Sequence, residues 1–408
     1  MILDINKKNI TNLKITIIGL KKSGYSAALL GHELGADIFV SELNNDTEVT
    51  YNKQKLKEKG IQVEVGFHSD KIFNAELWVI SPGVPSDVDI VKKAKKLNIP
   101  IIGEIEFASR FTKLPIIAVT GSNGKSTTVN ILYSMLNNGE FKPILAGNIG
   151  TPFSEKVKEE INNLDKGNIY ILEISSFQLE FIDQFKAIIC LYLNISPDHL
   201  DRHKDMEKYI KMKLKMLKNH NVNDTVIYNI DDSTFKTAFN NYDIKKIPFS
   251  IFEKTPFFRV NGKYIYDQNE NPFVFIDNIA LKGKHNLSNM IASATVAKAM
   301  KIDNLTIKNT MENFKGIDHR LQTIAIIKKV TYINDSKATN IHSVIVAINS
   351  FKNPILLLLG GKNKNSDFRL LLPHTKRHVK HIVSYGEAGG EIATAIGDAV
   401  RLNRVSSL

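Results

Sequence analysis

The densest chemistry in the sequence is Gly121-Ser122-Asn123-Gly124-Lys125-Ser126-Thr127, which follows the apolar run Pro115–Thr120 and precedes a helical pattern expected from about Thr128. Such a turn between strand and helix offers successive backbone N–H groups and a helix N-terminus to anionic oxygens. A lysine in it reaches terminal phosphates, and the hydroxyl that follows can ligate Mg²⁺. Lys125 and Ser126 fit those two roles. The usual spacing would put the first glycine at position 119, which is valine, so the strict phosphate-loop pattern is not met.

Other residues gain meaning from that loop. Glu173 ends the apolar run Ile169–Leu172; alone it reads as a strand-end charge in solvent, but beside a phosphate loop it suits Mg²⁺, which takes oxygen ligands and needs few carboxylates. His199 lies in Asp198-His199-Leu200-Asp201-Arg202, after the apolar run Ile188–Leu193. Lys213 stands four residues after Tyr209 in the basic stretch Lys208–Lys218, and spacing alone makes it part of a solvated lysine face. His285-Asn286 and Asn289 open an Ala-rich helical run and read equally as a cap or as ligands. Gly19 and Gly24 do not make G-x-G-x-x-G, and Glu42 could be a ribose-binding acid or a turn charge. Cys190, the only cysteine, sits in an apolar run as a buried strand residue would, and excludes an intrachain disulfide or a thiolate metal cage.

The elements that must position these residues follow from periodicity. Short β-branched runs alternate with longer helical patterns, which makes the fold class α/β, with parallel sheets covered by helices. Four runs in the middle of the chain each lead into polar residues: Pro115–Thr120, Lys142–Ala146 before Gly147-Asn148, Ile169–Leu172, and Ile188–Leu193 before Asn194–His199. Ligands of open parallel sheets bind beyond the carboxyl ends of strands, so these four loops are expected to share one site.

Three domains are expected: Rossmann-like over 1–113, a central P-loop-type parallel sheet over 114–316, and a second Rossmann-like domain over 317–408. The first has strands at Lys14–Ile18, Asp37–Val40 and Leu77–Ile80. The third repeats the scheme with Val330–Ile333, Pro354–Leu359 and His381–Ser384, then a helix from about Glu391 to Leu402. Residues 221–280 read as hairpins with turns at Asp231-Asp232 and Asn261-Gly262. The length of 408 residues agrees with three domains at roughly 100–200 residues each.

With 43% apolar and 24% charged residues, the composition is that of an ordinary globular protein and excludes disorder and collagen. No apolar run approaches the ~20 residues of a membrane span, and no secretory signal opens the chain, so membrane insertion is not expected and a cytoplasmic address is. The net charge of +12 favours polyanions. Its lysines are scattered, without an arginine-rich arm or interleaved aromatics, which favours phosphorylated small molecules over nucleic acid.

Together these residues resemble the bacterial Mur ligases, the ATP-dependent amide-forming enzymes of peptidoglycan precursor synthesis. Val119–Thr127, Asp198–Arg202, His285-Asn286 with Asn289, and His319-Arg320 occur in that family's order, and the likeness covers nearly the whole chain. Ser81–Val84, Glu173–Leu179 and Asn334–Asn340 are similar to the D-glutamate-adding branch. The resemblance implies that ATP phosphorylates the L-alanyl carboxylate of UDP-N-acetylmuramoyl-L-alanine and that the D-glutamate amine attacks the acyl phosphate. The nearest alternatives are a sibling ligase with another acceptor, folylpolyglutamate synthase, and a nucleotide-binding module without chemistry.

Roles follow by matching position. The resemblance implies that Gly121, Ser122, Asn123, Gly124, Lys125, Ser126, Thr127, Asn286, Asn289, Arg320 and Asp335 bind ATP. Ser126, Glu173, His199 and Lys213 would serve two Mg²⁺ ions, Lys213 as a CO₂-derived carbamate, and Lys125, His199, Lys213 and Lys337 would be catalytic. Ser23, Gly24, Ser81, Gly83, Asn148 and Ser175 would line the UDP-sugar site, while Lys337, Thr339 and Lys364 would face D-glutamate or the acyl phosphate. Two departures stand out: Lys21-Lys22 in the uridine-binding turn, and Ser41-Glu42-Leu43 after the second strand. No strand is visible after His381–Ser384 to cover its edge, and proteins usually protect such an edge. The third domain is therefore expected to be incomplete, lacking a segment that closes over D-glutamate.

Overall fold

The computed structural model describes residues 5–7, 9–163, 167–363, 366–397 and 399–406. Its first sheet is parallel, with β1 (Lys14–Ile18), β2 (Asp37–Glu42), β3 (Gln62–Val65), β4 (Leu77–Ile80) and β5 (Ile101–Gly103) in the order β3-β2-β1-β4-β5. The second, also parallel, contains β6 (Ile116–Thr120), β7 (Pro143–Gly147), β8 (Ile169–Glu173), β9 (Ile189–Tyr192), β10 (Thr225–Asn229) and β11 (Lys245–Phe249), in the order β11-β10-β9-β6-β8-β7.

The central strands read as unbroken apolar runs because both faces of their sheet are covered. Along β6, Ile116 and Ala118 enter one core while Ile117 and Val119 enter the other; β8 divides the same way, with Tyr170 and Leu172 opposite Ile169 and Ile171. The first of these cores continues into the first sheet, where Ile15 and Ile17 belong to it. The second is closed by the helices Lys125–Asn137, Lys284–Ala299 and Asn304–Asn313 and by a small antiparallel sheet of β12 (Phe258–Asn261), β13 (Tyr264–Asp267) and β14 (Pro272–Phe275).

Toward the C-terminus lie a hairpin, β15 (Gln322–Ile327) and β16 (Val330–Asn334), and a parallel sheet of β17 (Ile355–Gly360), β18 (Val379–Tyr385) and β19 (Leu402–Arg404).

Four expectations are corrected. Val330–Ile333 does not repeat the parallel scheme; β16 pairs antiparallel with β15. The two residues between them, Lys328 and Lys329, have φ of 48° and 66°. The type I′ form of a two-residue hairpin turn needs positive φ at both central residues, and lysines give no hint of it. Asp231-Asp232 is not a hairpin turn. Asp232 accepts the Thr234 N–H at 3.0 Å and caps the helix Ser233–Ala238, which makes the crossover between parallel β10 and β11. The helix expected to reach Leu402 spans Gly389–Ile396, and Leu402–Arg404 is a strand too short to be read from sequence. That strand, β19, pairs with β18, so the edge expected to be bare is occupied.

Candidate active site

The four loops after β7, β8, β6 and β9 stand side by side, since these strands are neighbours in the sheet. Gly124 has φ of +84°, and a Cβ there would lie 2.3 Å from Asn289 Oδ1. Only glycine suits both the left-handed backbone and the close approach. The helix accordingly starts at Lys125 rather than near Thr128, and Asn289 is brought onto the loop. Asn286 and Asn289 are both buried inside Lys284–Ala299, whose N-cap is Gly283; neither is the cap itself. Asn286 donates from Nδ2 to the Lys282 carbonyl at 2.8 Å.

The loop after β9 grips this loop. Ser122 N–H donates to Asn194 O and Asn123 N–H to Asn194 Oδ1, both at 2.9 Å, while Ser122 Oγ donates to Ser196 O at 2.9 Å and lies 3.0 Å from the Tyr209 hydroxyl. Lys125 Nζ donates to the carbonyls of Gly121 (2.7 Å) and Ser122 (2.9 Å). Lys213 Nζ reaches the same Gly121 carbonyl at 3.0 Å. The solvated-face reading of Lys213 is thus overturned: it is 2% exposed. The helix Met206–Leu214 explains this, because Tyr209 and Lys213 share its inner face at i, i+4 while Lys211 points outward to Glu207.

Burial pushes the Lys213 amine well below the ordinary lysine range, and the nearby Lys125 charge adds to that, against the opposing pull of Asp198 and Glu173. Lys125 is also lowered, first by burial, with Glu173 and Asp198 opposing and Arg320 reinforcing. Glu173 is 2% exposed; its Oε1 accepts from Asn148 Nδ2 at 2.9 Å, and its buried Oε2 has no hydrogen-bond partner among the described residues. A buried orphan carboxylate oxygen calls for a cation. Among the described residues no group of three or more His, Cys, Asp or Glu gathers as a ready-made metal cage. His199 has φ of +54°, with Nε2 3.7 Å from Asp198 Oδ2 and its ring edge-on to Phe177, 4.6 Å between centroids.

Thr127, His285, Asn286 and Arg320 line one small cavity beside the loop. Burial, then the charges of Arg320 and His342, push His285 down to about 4. Arg320 is lowered by burial, with Asp335 and Glu173 opposing. Asp335 is raised by burial; its Oδ1 accepts the Leu321 N–H at 3.0 Å, and this bond and Arg320 oppose the rise. Lys337 and Thr339 are exposed on the segment that follows, where Lys337 N–H donates to His319 O at 3.2 Å. Lys364 lies outside the described residues.

At the first sheet, the turn Gly19–Gly24 meets the loop after β4. A Cβ on Gly24 would fall 1.9 Å from Gly19 O and 2.9 Å from Ser81 Oγ, a buried hydroxyl without a hydrogen-bond partner among the described residues. Ser23 and Ser81 are therefore adjacent to one turn, while Gly83 is exposed with open space around it. Ser175 turns inward locally: its N–H and Oγ donate to Gln178 Oε1 at 2.9 and 3.0 Å. Glu42 is committed to the backbone, accepting from Leu20 N–H at 2.9 Å and Asn44 N–H at 2.7 Å, which favours the turn-charge reading.

Sequence reasoning missed Arg202, although it quoted the motif containing it. Its guanidinium donates to Pro82 O (2.8 Å), Val84 O (2.9 Å) and Glu180 Oε2 (2.6 Å), tying the loop after β9 to that after β4. Asn194 and Ser196 were missed as well. Their signal was the run of polar residues after a buried strand.

The chain matches the Mur ligase middle domain over residues 119–297 and the MurD N-terminal domain over residues 14–90. A UDP-N-acetylmuramoylalanine–D-glutamate ligase of Christiangramia forsetii is 36% identical over 400 residues, covering 95% of this chain and 87% of the relative. Another protein of that name, from Geobacillus sp., is 37% identical over 386 residues, covering 93% and 84%. The chain belongs to the UDP-N-acetylmuramoylalanine–D-glutamate ligase family. The MurF ligase of Thermotoga maritima in complex with ADP has the same fold, with a TM-score of 0.58 at 14% identity, covering 98% of this chain and 87% of that one. Within the D-glutamate ligase family's chain, the middle-domain match opens at Val119, two residues before the glycine loop, and closes at Ala297 in the helix that brings Asn289 to it.

Proposed function

We infer that this chain is an ATP-dependent, amide-forming ligase of peptidoglycan precursor synthesis that adds D-glutamate to UDP-N-acetylmuramoyl-L-alanine through an acyl phosphate, in the cytoplasm. The observation that carries this is the convergence of Lys125 and Lys213 on the Gly121 carbonyl, with Glu173 near enough for its charge to act on both, in a chain that belongs to this ligase family.

A carboxylate is a poor electrophile because oxide does not leave; phosphorylation supplies a leaving group, the amine attacks the acyl carbon, and phosphate departs as the amide forms. Negative charge gathers on the transferred phosphoryl group, so the residues around it must be positive or rich in N–H. Lys125 would serve this: on nucleotide binding its amine would exchange two carbonyls of its own loop for phosphate oxygens. Asn286, Asn289, Arg320 and Asp335 would hold the rest of ATP. Ser126 and Glu173 would hold one Mg²⁺, whose orphan partner oxygen is already present in Glu173; the ion supplies charge neutralisation at the phosphates.

His199 and Lys213 would serve a second ion, with Lys213 as a carbamate. A buried amine held below its ordinary pKa is the form that combines with CO₂, losing a proton to become an anionic oxygen donor, so the chemistry of Lys213 fits. Residues 1–113, including Ser23, Gly24, Ser81 and Gly83, would take the UDP-sugar, with Asn148 and Ser175 toward its muramoyl-alanine end. Residues 114–316 would take ATP, and Lys337, Thr339 and Lys364 in 317–408 would face the acceptor.

The test is an acceptor panel with UDP-N-acetylmuramoyl-L-alanine, ATP and Mg²⁺. D-glutamate should drive release of ADP and phosphate, whereas L-glutamate and L-lysine should not. Equal turnover with L-alanine, or dependence on a folate, refutes the assignment.

A further inference from the structure

The tip of the phosphate loop is tied to the C-terminal part of the chain by a knot of amides. Asn340 caps the helix Ile341–Asn349, its Oδ1 accepting the Ser343 N–H at 2.8 Å. Its other end, Nδ2, is shared between Asn123 Oδ1 at 3.2 Å and Asp198 Oδ2 at 3.3 Å. Ser343 Oγ donates to the same Asn123 oxygen at 2.7 Å. Asn123 Nδ2 in turn donates to Ser196 Oγ at 3.0 Å and lies 3.2 Å from His342 Nδ1. Three loops meet here: the phosphate loop, the Asp198-His199 loop, and the segment carrying Lys337 and Thr339.

We propose that Asn340 is a positioning residue, whose amide holds the 337–339 segment in register with the phosphate loop so that the acceptor meets the activated carboxylate. This deepens the ligase reading and rests on it for its kinetic consequence. The argument turns on a single side chain with two ends. An aspartate would cap the helix equally well. It has no donor for Asn123, and it would set a second carboxylate beside Asp198. Capping alone therefore does not call for an asparagine; the contact to the two loops does.

Asn340→Asp separates the two roles. In steady-state kinetics the variant should keep the parent's affinity for a non-hydrolysable ATP analogue, while kcat/KM for D-glutamate falls about tenfold or more, as for a lost hydrogen bond to a charged group. Ser343→Ala, which removes only the hydroxyl donor to Asn123, should fall less but in the same parameter. Hydrogen exchange on the same proteins reads the geometry without catalysis. In Asn340→Asp the amides of Ser122 and Asn123 should exchange about tenfold faster, while the Ser343 amide, still capped, stays protected. Parent-like kinetics and exchange in Asn340→Asp overturn the proposal, as does loss of Ser343 protection with unchanged phosphate-loop exchange, which would mark a mere cap. A parent that shows no D-glutamate-dependent ADP release refutes the ligase reading instead, and the exchange measurement still decides whether the knot is real.

Discussion

Replacing Lys213 by methionine should make the protein more stable while destroying its activity. The amine is 2% exposed, and its ordinary pKa of 10.5 is pushed well down by burial. Burial disfavours the charged form of this amine and so holds it toward neutrality, at a cost in folding free energy. Methionine abolishes that cost and fills a similar volume, but forfeits the hydrogen bond to the Gly121 carbonyl, worth about 1 kcal/mol. A net gain of about 1–3 kcal/mol is expected, the range typical when buried charged groups give way to apolar residues of similar volume. The sign with pH is equally definite. With the folded pKa below the unfolded one, the unfolded chain binds the extra proton, so parent stability rises with pH by up to about 1.4 kcal/mol per unit in the window below the unfolded value. The variant lacks this contribution. Urea denaturation of both proteins in CO₂-depleted buffer at pH of about 7, 8 and 9 measures the two slopes. Parallel slopes, or a variant less stable than the parent at every pH, would refute the reasoning. Bicarbonate should then stabilise the parent alone, because only a lysine can carry the carbamate.

Three further outcomes follow from the site and its surroundings. Lys125→Ala should leave the fold intact and lower the ligation rate by about 10²–10³, measured as D-glutamate-dependent ADP release; a loss under about threefold would contradict its placement at the phosphates. Lys211→Ala, which removes an exposed pair with Glu207, should ligate like the parent and leave the denaturation midpoint essentially unchanged. Glu104 is buried, with Oε1 accepting the Ser154 N–H and Oε2 lacking a partner among the described residues, and its pKa rises from 4.5 to about 7. Its folded pKa exceeds the unfolded one, so stability should decline by about 3 kcal/mol as pH rises from below 4.5 through about 7, and Glu104→Gln should flatten that decline in denaturation curves.

Most of the central sheet was legible because its strands are buried on both faces and so announce themselves as apolar runs. The runs ending at Thr120, Ala146, Leu172 and Leu193 lie within a residue of β6 to β9 at their carboxyl ends, and their four loops do gather at one edge. What escaped was whatever depends on backbone conformation or on partners distant in sequence. Lys328-Lys329 carries no trace of its left-handed turn. Leu402–Arg404 becomes a strand only because β18 offers an edge. Lys213 looks solvated among its basic neighbours, and only the packing of Tyr209 on Ser122 shows that this face of the helix points inward. Arg202 could not be assigned, since two of its three acceptors lie about 120 residues earlier.

The same geometry explains why the site can be strong and still wait for its substrates. Lys125 and Lys213 donate to one carbonyl, that of Gly121, and the Arg320 guanidinium adds positive charge to this neighbourhood; Glu173 and Asp198 are the acids that oppose it. The lysines spend their donors on the loop's own backbone, and the Ser122 and Asn123 amides are occupied by Asn194. These bonds are modest, about 1 kcal/mol each, whereas a polyphosphate offers charge-assisted bonds roughly twice as strong. On the proposed reading, nucleotide binding would exchange weak internal contacts for strong external ones at groups already desolvated. Burial holds the Lys125 amine below its ordinary range, and an anion at the loop would offset that, so the burial that makes the site costly would also favour a highly charged ligand.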